Sequence, residues 1–403
     1  MNGRRDIYDA LIVGGGPAGA SAAIHLAQCG ARVLLVEREK FPRAKLCGEF
    51  ISPECLAHFR RLGVLDRLIE AGGAQSRETV FYSCKGGMAA VPSEWFGTSP
   101  ALGLSRAEMD YCLLSRARHA GVEVLEEAQA LGLLFANHRV CGVRLRVNNE
   151  EQELSSLVTF DATGRARYLA RRVKARDSHR AHLVAFKAHL ENACCAEGAC
   201  EIYFFPGGYG GLSRVERGLS NLCFIASARD VRDCQSDPEI VLRQIVMQNP
   251  RAALTLAEAR PRTPWLAVAI ESFGRQEVAP SKGLIAVGDA ASFIDPFTGS
   301  GILMALESGE LAAAVLGRWL PSLRRGKSYH SFTNDYRSSY NNTFNARLRL
   351  CAWLRRLLLA PHLTFDVALR LLNASERLRR GLAHATRRAT DQPPLRLSNV
   401  PNS

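Results

Sequence analysis

The sequence holds no uninterrupted apolar run near the roughly 18 residues that a membrane-spanning helix needs, so no span is expected. No long apolar signal segment precedes the first ordered motif, which makes a cytoplasmic location the expectation. Twelve cysteines occur in 403 residues, yet no two stand in a CxxC pair. In a cytosolic setting they read as small buried hydrophobes, and a zinc or iron–sulfur site is not expected. None of His25, His58, His119 or His182 stands in metal or triad spacing. No internal repeat at solenoid spacing is present. Acids are also short, with 39 Asp and Glu against 52 Lys and Arg and a formal charge of +13. The excess gathers toward the C-terminus. It suits an anionic partner such as an acidic substrate, a carrier protein, NAD(P)H or a membrane surface. No recognition motif accompanies the charge, so nucleic acid is not expected.

What is present is a nucleotide grip between Tyr8 and Glu37. The apolar run Ala10 to Val13 reads as a buried strand. Gly14, Gly16 and Gly19 follow in GxGxxG spacing, with Gly15, Pro17 and Ala18 between them. Ser21, Ala22 and Ala23 begin a helix slim enough to approach a sheet. Arg32 to Val36 reads as the next strand, ending at Glu37. Strand, glycine turn, helix, strand and acid together are the full context of a dinucleotide fingerprint. The turn lets the backbone approach a pyrophosphate, which the helix N-terminus favours. Glu37 is placed to accept bonds from ribose hydroxyls. The fingerprint leaves FAD and NAD(P) open, although an acid at Glu37 disfavours NADP.

Further along, Ser52 and Pro53 start a helix toward Leu62, and Leu65 to Ala71 form another. Arg77 to Cys84 and Met88 to Val91 read as a hairpin. Ser105 caps a helix from Arg106 to His119. Val122 to Leu125 and Leu157 to Phe160 read as strands of the nucleotide layer, and Ala130 to Phe135 with Val140 to Val147 as a ribbon. His182 to Leu190, Cys200 to Phe205 and Leu219 to Ala226 suggest a mostly β second lobe. A glycine-rich stretch, Pro206 to Gly211, lies inside it. Leu284 to Val287 is a strand ending at Gly288 and Asp289, and Gly301 to Leu316 is a small-residue helix. The remainder is helical and arginine-rich. Leu348 to Leu359 and Leu363 to Leu372 are amphipathic, expected to pack on the body, with a partner surface or lipid contact as alternatives.

A second constellation lies at Gly288-Asp289-Ala290-Ala291 and Asp295-Pro296-Phe297-Thr298-Gly299-Ser300-Gly301. Asp289, at a strand's carboxyl end, is suited to a ribityl hydroxyl. The following helix start can present N–H groups to a flavin pyrimidine ring. With the GGGPAG fingerprint, Glu37 and Arg106 in Leu-Ser-Arg-Ala-Glu-Met-Asp, these motifs resemble those of para-hydroxybenzoate-hydroxylase-fold flavoproteins over about residues 6–320. That superfamily includes group A monooxygenases, flavin halogenases and geranylgeranyl reductases. The resemblance implies an α/β fold: a Rossmann-like GR2-type FAD-binding domain, an interleaved mostly β substrate domain and a C-terminal helical region. The expected division is 1–75, 100–165 and 275–320 for FAD, 76–99 and 166–274 for substrate, 321–390 for the helices and 391–403 for a flexible tail.

The resemblance implies FAD held by Gly14, Gly16, Pro17, Ala18, Gly19, Glu37, Arg38, Arg43, Cys47, Arg106, Gly288, Asp289, Pro296, Gly299, Ser300, Gly301 and Ile302, with Arg106 on its phosphates. NAD(P)H would be a transient reductant. Phe41-Pro42-Arg43-Ala44-Lys45-Leu46-Cys47-Gly48 is similar to the segment near the flavin in geranylgeranyl-reductase-like proteins. In Glu201-Ile202-Tyr203-Phe204-Phe205-Pro206, Glu201 stands where tyrosine is usual and Tyr203 where tryptophan is usual.

The leading expectation is a monooxygenase inserting oxygen into an aromatic or polyketide-like molecule of secondary metabolism, free or on an acyl carrier protein. The alternative is an ene reductase or dehydrogenase on an apolar substrate, with Cys47 as proton donor and Tyr203 second. Glu201 is a candidate contact to a polar substrate, and Glu49 a candidate partner for Arg43. Halogenation and a non-enzymatic flavin- or nucleotide-binding interaction protein are the remaining readings. No metal is expected, and the chain is expected to act as a monomer or homodimer.

Overall fold

The computed structural model describes residues 7–173, 181–358 and 362–386. The stretches around Arg180, Pro361 and the tail after 391, on which sequence expectations also fell, lie outside them.

Two sheets carry the molecule. The first has seven strands, ordered Glu123–Leu125, Val33–Val36, Tyr8–Val13, Glu150–Asp161, Arg139–Val147 and Gln129–Ala136, with Leu284–Ala286 also pairing with Glu150–Asp161. Its parallel registers align Ala10 with Val33 and Val158, and Thr159 with Leu284. Glycine turn, Glu37, Asp161 and Gly288 therefore leave the sheet at one carboxyl edge, where ligands bind in such folds. Glu150–Asp161 serves twice. Its first half pairs antiparallel with the ribbon, and its second half enters the parallel layer.

The helix Pro17–Gln28 packs on this sheet with ten of its residues buried. Against it runs the 24-residue helix Gly301–Arg324. The sequence reading ended that helix at Leu316; it continues through Pro321, with Leu320 and Leu323 buried. Close approach of the two helices needs small residues at the crossing. A Cβ on Gly309 would lie 2.4 Å from the Ala18 carbonyl oxygen, and Ser21 Oγ donates to the Leu306 carbonyl at 2.9 Å.

The second sheet has eight strands, ordered Arg260–Pro261, Leu183–Glu191, Ser220–Ser227, Gly208–Arg214, Ala199–Phe205, Glu78–Tyr82 and Met88–Pro92, with Leu266–Ile270 also pairing with Leu183–Glu191. One face carries Phe186, Tyr203, Phe205, Leu212, Leu222 and Phe224 into a core with Val241 and Leu242 of the helix Pro238–Gln244 and Ala252 and Leu256 of the helix Pro250–Leu256. The other face turns toward the first sheet's carboxyl edge. The glycine-rich stretch proves to be a strand, Gly208–Arg214. A Cβ at Gly208 would meet the Ile225 carbonyl oxygen at 2.0 Å, so bare backbone fits there and a side chain does not.

The helices Tyr329–Leu358, His362–Ala374 and Glu376–Ala385 complete the described residues. Tyr336 and Tyr340 fix the first of them to the body, bonding the Ala286 carbonyl at 2.6 Å and Ser292 Oγ at 2.9 Å.

Candidate functional site

Two adjoining cavities follow the carboxyl edge. One, of about 510 Å³, is lined by Gly14, Gly16, Glu37, Arg38, Arg43 and Lys45, among others. The other, of about 490 Å³, shares Gly16, Arg38 and Lys45 with it and runs on past Cys47, Arg106 and Asp289 to the second sheet. The glycine turn and the Pro296–Ile302 segment are 280 residues apart in sequence yet line one cavity. Gly288 marks how tightly they join: a Cβ there would lie 2.8 Å from Ala18 Cβ, and its N–H donates to Ser308 Oγ at 2.9 Å.

At the first end, Glu37 is buried and accepts from the Gly15 N–H at 2.7 Å and the Glu39 N–H at 3.0 Å. Arg43 lies 3.6 Å from Glu37 and 3.7 Å from Asp110, and its buried Nε has no hydrogen-bond partner among the described residues. Arg106 is locked by Asp110 through bonds of 2.8 and 2.7 Å. Burial opposes the Arg106 charge, and Asp110 and Cys47 more than restore it. Burial, followed by the Arg106 and Arg43 charges, pulls Lys45 below its ordinary value. Burial pushes the Asp289 carboxyl up, while Lys45, Arg165 and Arg106 pull it down.

Four buried or half-buried cations, Arg43, Lys45, Arg106 and Arg165, thus gather around three carboxylates, Glu37, Asp110 and Asp289, which leaves an excess of positive charge at the gap. A pyrophosphate-bearing ligand fits that imbalance, and it would give the orphaned Arg43 Nε a partner. Space is also open where a ligand would run. A Cβ on Gly16 meets nothing nearer than Arg106 at 3.7 Å, and one on Gly48 nothing within 4 Å. Pro17, Ala18, Gly288, Pro296, Gly299, Gly301 and Ile302 line the same cavity. Gly19 and Ser300 sit behind its wall. Gly19 backs onto the Gly14 carbonyl, and Ser300 Oγ donates to the Thr298 carbonyl at 3.3 Å.

The loop carrying Cys47 is tied down from the second sheet. Asn221 Nδ2 donates to the Cys47 carbonyl at 3.1 Å, and Lys187 Nζ to the Lys45 carbonyl at 3.3 Å. Glu49 is fully buried. It takes bonds from Lys187 Nζ, from His189 Nε2 at 2.6 Å and from the Arg106 N–H at 2.8 Å. Burial pushes its carboxyl up, and His189 and Lys187 bring it below the ordinary value. The expected Glu49–Arg43 pairing is therefore corrected, because nearer donors occupy Glu49. The Glu49 N–H lies 3.4 Å from Cys47 Sγ.

Two catalytic candidates fall elsewhere. Side chains alternate along a strand, and in Ala199–Phe205 it is Cys200 and Ile202 that reach the cavity. Glu201 and Tyr203 point into the opposite core. There Glu201 accepts from Tyr203 Oη at 2.6 Å and from Arg251 at 3.1 and 2.5 Å. Lys45, Arg165, Lys187, His189, Asn221 and Cys223 were missed as site residues. The alternation Ala185, Lys187, His189 in an apolar strand was the available signal for two of them.

The facing wall is Thr79, Phe81, Val91, Ala185, Cys200, Ile202, Tyr209, Gly211, Cys223, Ile225, Val268 and Ile270. It presents no carboxylate and no imidazole. Burial pushes the Cys223 thiol up to about 12, so it stays protonated.

A family model, described as the FAD binding domain, matches residues 7–337. The chain is 28% identical over 323 residues to the digeranylgeranylglycerophospholipid reductase of Methanosarcina mazei, covering 76% of this chain and 74% of that protein. It is 28% identical over 342 residues to the menaquinone reductase of Mycolicibacterium smegmatis, covering 78% and 77%. Among solved structures it is similar to a flavin-dependent brominase, with a TM-score of 0.79 at 19% identity over 94% of this chain and 93% of that one. It is also similar to a geranylgeranyl bacteriochlorophyll reductase-like protein from Thermoplasma acidophilum, with a TM-score of 0.77 at 22% identity over 92% and 91%.

Proposed function

Because this chain belongs to the FAD-binding-domain family and is a FAD-dependent oxidoreductase, we propose that it reduces carbon–carbon double bonds in an apolar, isoprenoid-type substrate. The observation that carries this reading is the dry wall of the second sheet meeting Cys47 at the cofactor end of the cavity. Named relatives that are reductases of isoprenoid-bearing molecules support it.

Gly14 to Gly19, Arg43, Arg106 and Asp289 would hold the phosphate and ribityl parts of FAD, and the Pro296–Ile302 segment its ring. When bound, FAD supplies the hydride, having been reduced by a transient NAD(P)H. The chain's own residues have three tasks. Phe81, Val91, Ile202, Ile225 and Ile270 exclude water and align the alkene. Cys47 gives the proton from Sγ to the alkene carbon that does not receive hydride. Arg106, fixed by Asp110, lines the same cavity as Cys47. Solvent then reprotonates the Cys47 thiolate.

Oxygen insertion ranks second because the second-sheet wall carries no carboxylate or imidazole, and Glu49 on the other side of the cavity is already engaged by Lys187, His189 and the Arg106 N–H. The test is anaerobic incubation of the reduced, FAD-loaded protein with geranylgeraniol and with a menaquinone, followed by product mass. Added hydrogen pairs are expected. Cys47→Ala should keep FAD and its reduction by NAD(P)H but lose about 100-fold or more in product formation. Labelled oxygen in the product, without saturation, would overturn the reductive reading.

A further inference from the structure

The last helices carry large apolar side chains out into solvent. Trp353, Val367, Leu371 and Leu378 are 56%, 55%, 62% and 62% exposed. The helix His362–Ala374 is held by one side: Asp366 and Leu369 are buried, and Asp366 accepts from Ser83 Oγ beside the strand Met88–Pro92. Val367 and Leu371 lie one turn apart on the roughly opposite side. Arg370 is exposed beside them, with its Nε 2.9 Å from Asp366, and Arg377 and Arg380 lie beside Leu378 on the next helix. From Arg349 to Arg380 the chain has seven arginines against Asp366 and Glu376.

We propose that this surface docks on an anionic lipid bilayer. Isolated exposed leucines need no partner, but Val367, Leu371 and Leu378 on two successive packed helices, set among Arg370, Arg377 and Arg380, are the composition of an interfacial anchor. Apolar side chains enter the headgroup boundary while arginines meet lipid phosphates. Two other occupants fit less well. A second copy would set arginine against arginine, and an acidic carrier protein would leave Val367 and Leu371 unmatched. Among the described residues no helix is long and apolar enough to cross a membrane, so the contact is peripheral.

The helix Tyr329–Leu358 also borders a separate cavity. Leu348, Cys351 and Ala352 of the helix bearing Trp353 line a cavity of about 440 Å³, which shares Ile270 and Phe293 with the site cavity. The docking itself does not depend on which reaction the site runs.

Flotation of the full-length, FAD-loaded protein with phosphatidylglycerol vesicles and with phosphatidylcholine vesicles tests the idea. Binding to the anionic vesicles alone is expected, weakening with salt. Each of Arg377→Ser and Arg380→Ser should weaken partition about five-fold. Leu371→Ser with Leu378→Ser should weaken it further at unchanged FAD content, which shows that the fold is intact. Indifference to phosphatidylglycerol, or binding unaffected by either set, overturns the proposal. So does a concentration-dependent dimer lost in the leucine variant, or capture by an acidic carrier protein without vesicle binding.

Discussion

Cys200 and Glu201 are neighbours in the chain and belong to different sides of a sheet. Glu201 reads as a site acid by its place in a motif, but strand parity sends it into a core with Tyr203, Thr255 and Arg251. Burial pushes its carboxyl up, and bonds from Arg251 and Tyr203 bring it below the ordinary value. Its chemistry is therefore structural. Glu201→Gln is expected to cost about 1–3 kcal/mol of stability, while turnover per bound flavin stays within about two-fold, inside the range of changes remote from the chemistry. Thermal unfolding and flavin-normalised rates check both halves. A large loss in rate at full flavin content would return Glu201 to the site. The alternation of side chains in this strand was legible in the sequence. Which of its two faces meets the cofactor was not, because that depends on how two sheets lie together.

At the scale of elements, the small-residue helix Gly301–Arg324 works as a strut with three contacts. Gly309 lets it close on Pro17–Gln28, Glu307 meets Arg347 at 2.7 Å, and Glu310 meets His58 at 2.9 Å and Arg61 at 3.0 Å on the helix Pro53–Leu62. Burial pushes the Glu310 carboxyl up, but His58 and Arg61 bring it down to about 2. A folded-state value below the ordinary one contributes stability that is fully present above about pH 4.5 and lost as pH falls through about 2. Glu310→Gln should therefore lower stability by about 2–3 kcal/mol at neutral pH, and the gap to wild type should close on acidification toward pH 2. Unfolding curves across that range give the answer; a gap that widens in acid would contradict the assignment. The glycine spacing and the acid at Glu37 made the first strand, helix and strand legible, since few other structures use that pattern. The strut's length was not, because Pro321 reads as a stop and only tertiary burial of Leu320 and Leu323 carries the helix through it. The strand Gly208–Arg214 was hidden for the opposite reason. Its glycines signal a turn locally, and the Ile225 carbonyl and the Phe224 side chain across the sheet are what demand them.

At the scale of the molecule, the two sheets and the C-terminal helices meet at one buried carboxylate. Asp295 accepts from Tyr209 Oη of the second sheet and from Arg355 of the helix Tyr329–Leu358, and its Oδ1 takes the Phe297 N–H at 3.4 Å in the segment facing the cavity. The Arg355 guanidinium also lies 4.0 Å over the Phe273 ring. A charge this deep is tolerable only while it is paired. Arg355→Met should cost about 3 kcal/mol and loosen the Asp295–Gly299 turn, seen as weaker FAD retention. Asp295→Asn removes the stranded charge, so adding it to Arg355→Met should recover part of the loss, with a coupling of about 1–3 kcal/mol. A double-mutant cycle read by unfolding and by FAD retention measures it. Simple additivity of the two changes would mean that the C-terminal helix merely leans on the site; coupling in both readouts would mean that it holds the turn against the cavity, so that whatever the helices dock upon is mechanically joined to where FAD lies.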